Sequence, residues 1–285
     1  MKPVFVTGAS GNVGREVVTA LQRRNASMRL GDRSPSRIDA ASGQSLVRFD
    51  FLDQATYAPA VAGCEAVFLL RPPAISNTRA TLNRFIDVAR SAGVAQIVFV
   101  SVAGAANNPI VPHHAVEVYL RAGPPGWTIL RPGFFAQNLE SAYRNDIRDD
   151  DRIYVPAGRG RVAFIDVRDL ATVAVEALLD PATHAGQAYT LTGPAALSFT
   201  EVARLLSSTL ERTIRYEPAS TIGYAVHLLR AGLPFSQALV QTLLHVGLRS
   251  GQAASVDATL PRLLGHAPLT MADYIGDHRD RWMTA

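Results

Sequence analysis

The chain has 285 residues, 48% of them hydrophobic and 18% charged, which suits one large α/β domain or one domain with a smaller lobe. No run of about 18 apolar residues occurs, which excludes a membrane-spanning helix, and the single Cys64 excludes an internal disulfide and a cysteine metal cluster. The net charge of +4 comes from basic side chains scattered over the whole length, with no basic run and no interleaved aromatics, so nucleic acid is not an expected partner.

Pro3-Val4-Phe5-Val6 predicts a first strand. Its apolar part is too short for a signal peptide, so the cytoplasm is the expected compartment. Thr7-Gly8-Ala9-Ser10-Gly11-Asn12-Val13-Gly14 follows. An amphipathic helix comes next, with Val13, Val17, Val18 and Leu21 on one face and Arg15, Glu16, Gln22 and Arg23 on the other. Further strands are predicted over 28–32, 45–49, 66–70, 96–100 and 127–130. Helices are predicted over 79–92, with Gly93 as its stop, and around 114–122. Continuous β-branched runs between helices mean a parallel sheet covered on both faces. Residues 133–168 read as loop and short elements. A helix over 169–179, flanked at its start by Asp166 and Asp169, which read as helix caps rather than as catalytic acids, leads to a strand over 188–192. Ser198 and Glu201 form a capping box that opens a helix over 199–210. Beyond Ser220 the chain reads as helical, weakly charged and apolar. The organisation expected is a dinucleotide-binding domain over 1–155, with 163–193 returning to it, and a mostly helical substrate-binding lobe over 194–285.

A glycine turn between a first strand and a first helix is how a Rossmann fold receives a dinucleotide pyrophosphate. Gly8 allows the tight turn, Gly11 lets the backbone approach the phosphates at the positive end of the helix, and Gly14 lets the helix pack close to the strand. Thr7, Ser10, Asn12 and Val13 complete the loop that meets the cofactor. The end of the second strand supplies both an acid for the ribose hydroxyl of NAD, Asp32, and an arginine for the ribose phosphate of NADP, Arg33, followed by Ser34 and Arg37. Neighbouring strand residues point to opposite faces, so one of Asp32 and Arg33 can face the ribose and the other not.

The spacing G-x-x-G-x-x-G resembles the extended and atypical short-chain dehydrogenase/reductase families. With Arg29-Leu30-Gly31-Asp32-Arg33-Ser34-Pro35, Asp50-Phe51-Leu52-Asp53, Val67-Phe68-Leu69-Leu70 before Pro72-Pro73, Thr128-Ile129-Leu130-Arg131-Pro132-Gly133-Phe134-Phe135 with Asn138, Phe164–Ala171 and Tyr189–Pro194, the chain resembles the NmrA-like atypical short-chain reductases over nearly its whole length. That family includes bacterial quinone and triphenylmethane reductases. The resemblance implies a doubly wound α/β fold and NADPH as cofactor. It implies that Arg33 meets the ribose phosphate, that Asp50 and Phe51 lie at the adenine, that Leu70, Arg71 and Pro72 end strand four at the cofactor, and that Pro132 and Phe134 lead to the nicotinamide.

Two departures stand out. Relatives nearer the common short-chain enzymes carry Tyr-x-x-x-Lys, whose tyrosine protonates a carbonyl while the lysine lowers its pKa and holds the ribose. Aligned on Glu117, the lysine position falls at His113 and the tyrosine position at Pro109, and the only lysine of the chain is Lys2. Arg71 stands where the resemblance implies a small polar residue. The candidate catalytic groups are then His113, which could hold the ribose, donate a proton or simply start a helix, and Ser101, which could orient a substrate, line the cofactor crevice or cap a turn. Arg71 could meet pyrophosphate or an anionic substrate group, or lie exposed at a loop mouth. Phe135, Gln137, Asn138 and Tyr143 follow strand six and are the expected substrate contacts. The three polar ones could equally cap loop backbone. The apolar helices of 221–250 could cover a hydrophobic ligand, form the face of a homodimer, or fill the lobe core. No metal site and no membrane partner are expected.

Two functions of different class fit. One is an NADPH-dependent reductase that passes hydride to an apolar, aromatic electrophile such as a quinone, enone, iminium or conjugated dye. Such acceptors stabilise the charge they gain, so the missing dyad does not exclude catalysis. The other is a non-catalytic NADP(H)-binding redox sensor, for which the missing dyad is equally suited. An epimerase or dehydratase is disfavoured by the same loss of tyrosine and lysine.

Overall fold

The computed structural model describes residues 2–34, 44–124 and 126–283. In chain order the elements are β1 (Val4–Thr7), α1 (Asn12–Arg23), β2 (Met28–Asp32), β3 (Gln44–Arg48), α2 (Tyr57–Val61), β4 (Ala66–Leu70), α3 (Leu82–Ser91), β5 (Gln96–Val100), α4 (Pro112–Arg121), β6 (Trp127–Pro132), α5 (Arg144–Asp149), β7 (Arg152–Val155), β8 (Arg161–Ala163), α6 (Val167–Leu179), α7 (Pro181–His184), β9 (Gln187–Leu191), β10 (Ala196–Ser198), α8 (Phe199–Leu210), β11 (Arg215–Pro218), α9 (Thr221–Arg230), α10 (Phe235–Gly247), α11 (Thr259–Leu264) and α12 (Met271–Asp277). They form two compact units, Met1–Pro132 with Val167–Leu191, and Gly133–Asp166 with Thr192–Ala285.

Among the described residues, the first unit holds a seven-stranded sheet in the order β3-β2-β1-β4-β5-β6-β9, and its neighbouring strands all pair in parallel. This is the doubly wound arrangement. The chain leaves β1 in one direction along the sheet and β4 in the other, so their carboxyl ends flank the switch point where such sheets bind ligand. The central strands are buried, as their near-continuous apolar runs require. Helix α1 turns Val13, Val17 and Leu21 inward, at helical spacing, and leaves Val18 half-buried. On the other side of the sheet Phe5, Phe49, Phe51, Tyr57 and Phe85 make a cluster of edge-to-face and tilted rings at centroid separations of 4.7 to 5.9 Å. Each such pair adds about 0.5–1.5 kcal/mol to the area it buries. Far along the sheet, the buried Gln96 amide nitrogen donates to Thr128 Oγ1 (2.8 Å) and to the Ala177 carbonyl (3.0 Å), which ties β5 to β6 and α6, while its Oε1 has no hydrogen-bond partner among the described residues.

Several predicted boundaries move, each for a local reason. Helix α3 starts at Leu82, because Asn77 accepts from the Ala80 amide (3.2 Å) and Thr81 donates to the Asn77 carbonyl (2.7 Å), which ties 77–81 into turns. Helix α4 starts two residues early, at Pro112, whose fixed φ suits a first helical turn.

The second unit is an α+β body. Strand β7 pairs in parallel with β11, and β8 pairs antiparallel with β10. Residues 133–166 group with this unit because Tyr143, Ile147, Ile153, Val155 and Val162 are buried in its core beside Phe199, Tyr224 and Trp282. The capping box of α8 is present, with Ser198 and Glu201 bonded in both directions. The Trp282 indole donates to the Leu139 carbonyl (3.1 Å) and ties the end of the chain to this core. No helix among the described residues is long and apolar enough to cross a membrane. Cys64 is buried and free.

Candidate functional site

The glycine turn sits at the carboxyl end of β1. Gly8 has φ +64°, a left-handed conformation that glycine adopts without strain. A Cβ on Gly14 would fall 2.0 Å from the Gly8 carbonyl oxygen, so only glycine lets α1 approach this closely. A Cβ on Gly11 would lie 3.4 Å from the same oxygen, in ordinary contact, and Gly11 has an extended conformation open to any residue. The requirement at Gly11 is therefore not packing within the fold. Gly11 is exposed, as are Ser10 and Asn12. Helix α1 has no side-chain cap and no acid in its first turn. An uncapped helix start with the positive end of its dipole behind it suits an anion. The cradle thus fits a pyrophosphate.

Of the other loop residues, Val13 is buried on the inner face of α1, and Asn12 accepts from Arg15 (3.0 Å). Thr7 is fully buried. Its hydroxyl donates to the Phe68 carbonyl (3.0 Å) and accepts from the Leu70 amide (2.8 Å), so it clamps β1 to β4.

At the end of β2 the Asp32 carboxylate accepts from the Ser10 hydroxyl and from the Ser34 amide, both at 2.8 Å. Its charge is held by two donors and turned toward the glycine loop. Arg33 is exposed and forms no hydrogen bond or ion pair among the described residues. Pro35 and Arg37 lie outside the described residues. Asp50 accepts from the Leu52 amide (2.9 Å) in a tight turn after β3. The Phe51 ring is buried in the aromatic cluster, and its carbonyl accepts from the Tyr57 hydroxyl (2.7 Å). Burial of Tyr57 pushes its hydroxyl up to about 12, with the charges of Asp50 and Asp53 adding to the effect.

At the end of β4, Leu70 and Pro72 are half-buried and Arg71 turns back on its own loop. Its guanidinium donates to the carbonyls of Pro72 (3.1 Å), Pro73 (3.3 Å) and Ile75 (2.5 Å), and its Nε–H donates to His113 Nε2 (3.2 Å). Arg71 is half-buried, and within this unit its guanidinium is engaged by its own loop and by His113. His113 stands in the first turn of α4, with its ring 6.1 Å from that of Phe99. Burial, reinforced by the charge of Arg71 and opposed by that of Glu117, lowers its pKa to about 4. The imidazole is therefore neutral over the physiological range. Its Nδ1 is buried without a hydrogen-bond partner among the described residues, a lack that a ligand acceptor would fill.

One feature that sequence reading missed lies a turn further along α4. Glu117 is buried and accepts from the Ser101 hydroxyl (2.5 Å) at the end of β5. It also receives a fork from Arg131 of β6, with Nε at 3.0 and 3.2 Å and Nη2 at 2.6 Å. Burial works against the Glu117 charge, but the hydrogen bonds from Arg131 and Ser101 outweigh it and hold the carboxyl below its ordinary value. The Ser101 hydroxyl is committed to this triad. Ser101 and Arg131 sit side by side just past the paired residues Val100 and Leu130, an adjacency that only the assembled strands create, and both reach Glu117 on α4.

The remaining predicted residues divide between the units. Pro132 ends β6, and its carbonyl accepts from the Ala103 amide (2.9 Å). Phe134, Phe135, Gln137, Asn138 and Tyr143 belong to the second unit. There the Phe134 ring meets Phe164 and His245 edge-on, at 5.7 and 5.6 Å. Phe135 bridges to Ile165, the Gln137 amide donates to Asp166 (3.1 Å), and Asn138 is half-buried. Tyr143 is fully buried and hydrogen-bonded to His245, whose pKa is lowered by burial to about 4, with the Gln241 carbonyl opposing.

The NAD(P)H-binding family profile matches residues 8–181. The chain belongs to this family. The NAD(P)H azoreductase of Xenophilus azovorans is 34% identical over 289 residues, which span 96% of this chain and 97% of that protein. Among solved structures, the NADPH-dependent quinone oxidoreductase of Escherichia coli complexed with NADPH is 26% identical, with TM-score 0.85 over 96% of this chain and 99% of that one. The triphenylmethane reductase of Citrobacter sp. complexed with NADP(H) shares the fold, with TM-score 0.85 and 22% identity over 96% of this chain and 99% of that one. The resemblance drawn from the motifs is borne out. The chain is an NAD(P)H-dependent oxidoreductase.

Proposed function

We propose that the chain is a cytoplasmic reductase that uses NADPH to deliver hydride to an apolar, aromatic electrophile, such as a quinone, a conjugated dye or an iminium, without a protein acid. One observation carries this reading. The two candidate proton donors of the first unit are both unavailable as acids, since His113 is neutral down to about 4 and the Ser101 hydroxyl is given to Glu117. A simple ketone needs a proton as it gains hydride. A quinone or cationic dye accommodates the charge itself and takes any proton later from solvent.

When bound, the cofactor supplies the hydride. The chain's own residues bind and orient. The exposed turn at Gly8 and Gly11 and the free amides of α1 hold the pyrophosphate. Arg33 and Ser34 hold the ribose phosphate, with the Asp32 charge compensated by Ser10 and the Ser34 amide. Asp50, with the backbone of Phe51, borders the adenine. His113 donates from Nδ1 to the nicotinamide ribose. The second unit provides the substrate lobe, where Phe134 and Phe135 offer aromatic surface and Gln137 and Asn138 offer polar contacts. Its helices α9 and α10 also leave Ile222, Phe235, Leu239, Val240, Leu243 and Leu244 uncovered, apolar surface suited to covering such a substrate and excluding water.

The test is NADPH consumption against a panel of quinones, cationic triarylmethane dyes, azo dyes and plain aliphatic ketones. Turnover with the conjugated acceptors and none with the ketones is expected. Turnover with ketones alone would refute the reading. No turnover, together with tight discrimination between NADPH and NADP⁺, would identify a sensor instead.

A further inference from the structure

Arg71 and His113 are 42 positions apart and form a side-chain hydrogen bond at 3.2 Å. We propose that Arg71 is a positioning residue: it fixes the His113 imidazole in the tautomer that carries its proton on Nδ1, and so aims a donor at the bound cofactor. The second half rests on the reading of His113 as a ribose contact.

The geometry leaves little choice of tautomer. A guanidinium has N–H donors and no acceptor. The Arg71 bond therefore takes the lone pair of Nε2, and the one proton of a neutral imidazole resides on Nδ1. Arg71 cannot swing away from this task, because three carbonyls of its own loop hold the guanidinium from the other side. The Phe99 ring borders the imidazole. The charged groups acting on the ring are Arg71 and Glu117, with opposite signs. The neighbouring His114 is engaged elsewhere, at the Ala105 carbonyl (2.8 Å). Protonating Nε2 would set an N–H against an N–H, which reinforces the neutral form. The outcome is an N–H at Nδ1, buried and without an acceptor among the described residues. An unpaired buried donor is costly, and a ribose hydroxyl oxygen is an acceptor that would satisfy it.

The experiment is long-range ¹H–¹⁵N correlation on the full chain labelled at histidine nitrogen, with the His113 signals assigned by their loss in His113→Gln. At neutral pH the wild type should show the Nδ1–H pattern at His113. Arg71→Leu should shift it to Nε2–H or to a mixture, and weaken NADPH binding about tenfold, the scale of one lost hydrogen bond. Arg71→Lys, which keeps a cationic donor, should restore the Nδ1–H pattern and most of the affinity. A loop-anchoring role alone would move the melting temperature and leave the tautomer unchanged. An Nε2–H pattern in the wild type, which does not depend on any Arg71 variant, would overturn the proposal, as would an Nδ1–H pattern retained in Arg71→Leu. If the tautomer follows Arg71 but NADPH neither shifts the His113 signal nor binds more weakly to His113→Gln, the ribose-contact reading fails while the tautomer assignment stands.

Discussion

Glu117→Gln tests how the fold holds the site. Glu117 and Arg131 leave only 3% and 12% of their side chains exposed, so the pair lies largely out of water. Breaking such a pair from one side strands a buried charge and costs about 3–5 kcal/mol. Glutamine keeps one oxygen to accept from Arg131 or Ser101, which returns about 1 kcal/mol. The expected loss is therefore about 2–4 kcal/mol, or a fall in Tm of roughly 5–15 °C for a body of this size. Adding Arg131→Met should recover part of the loss, because the stranded charge is then removed. The pH dependence has a definite sign. The folded carboxyl titrates below its ordinary value of 4.5, so the bound proton favours the unfolded chain. The pair's contribution is complete above that value and is lost as pH falls through the lower folded one. Wild type should lose stability in acid over that window, and Glu117→Gln should lack that part of the slope. NADPH should also bind several-fold more weakly, since the pair pins the helix that carries His113 one turn earlier. Thermal melts across pH, with cofactor titration by fluorescence, measure all of this. A Tm within about 2 °C of wild type and an unchanged acid limb would refute the reasoning.

Other expectations concern the cofactor cradle. Gly14→Ala should unfold or strongly destabilise the first unit, because its Cβ meets a backbone oxygen at 2.0 Å, whereas Gly11→Val should melt near wild type and lose NADPH binding. Circular dichroism with a cofactor titration separates the two, and a folded Gly11→Val that keeps its affinity would contradict the cradle. Arg33→Asp should abolish preference for NADPH over NADH, a loss of about 2–3 kcal/mol for a charge-assisted contact and on the order of a hundredfold in relative affinity. Equal binding of both cofactors by wild type would remove Arg33 from the role.

The frame of the site was readable because local patterns specify it. Strands 66–70 and 96–100 end where their apolar runs end. The capping box opens α8 at the predicted residue, and the glycine spacing placed the turn between β1 and α1. What stayed hidden is set by contacts far apart in the chain. Nothing near Arg71 points to His113, and nothing near Ser101 points to Glu117 until β5, α4 and β6 are assembled. Thr7 and Phe51 show a related limit. Both lie in motifs associated with cofactor, yet the Thr7 hydroxyl serves β4 and the Phe51 ring serves an aromatic core. Short strands without a repeated alternation, such as β8 and β10, gave no periodic signal, so the sheet pairs of the second unit emerged only in three dimensions.

The central claim is direct hydride transfer to a conjugated acceptor without a protein acid. The most direct measurement uses NADPH deuterated at C4 of the nicotinamide and a cationic triarylmethane dye, whose central carbon keeps whatever hydride it receives. The account predicts deuterium at that carbon of the colourless product, a primary isotope effect on turnover, and a rate flat in pH from about 5 to 9, because His113 stays neutral throughout that range. Product without the label, or a rate that falls as pH rises through the ordinary histidine range, would contradict it.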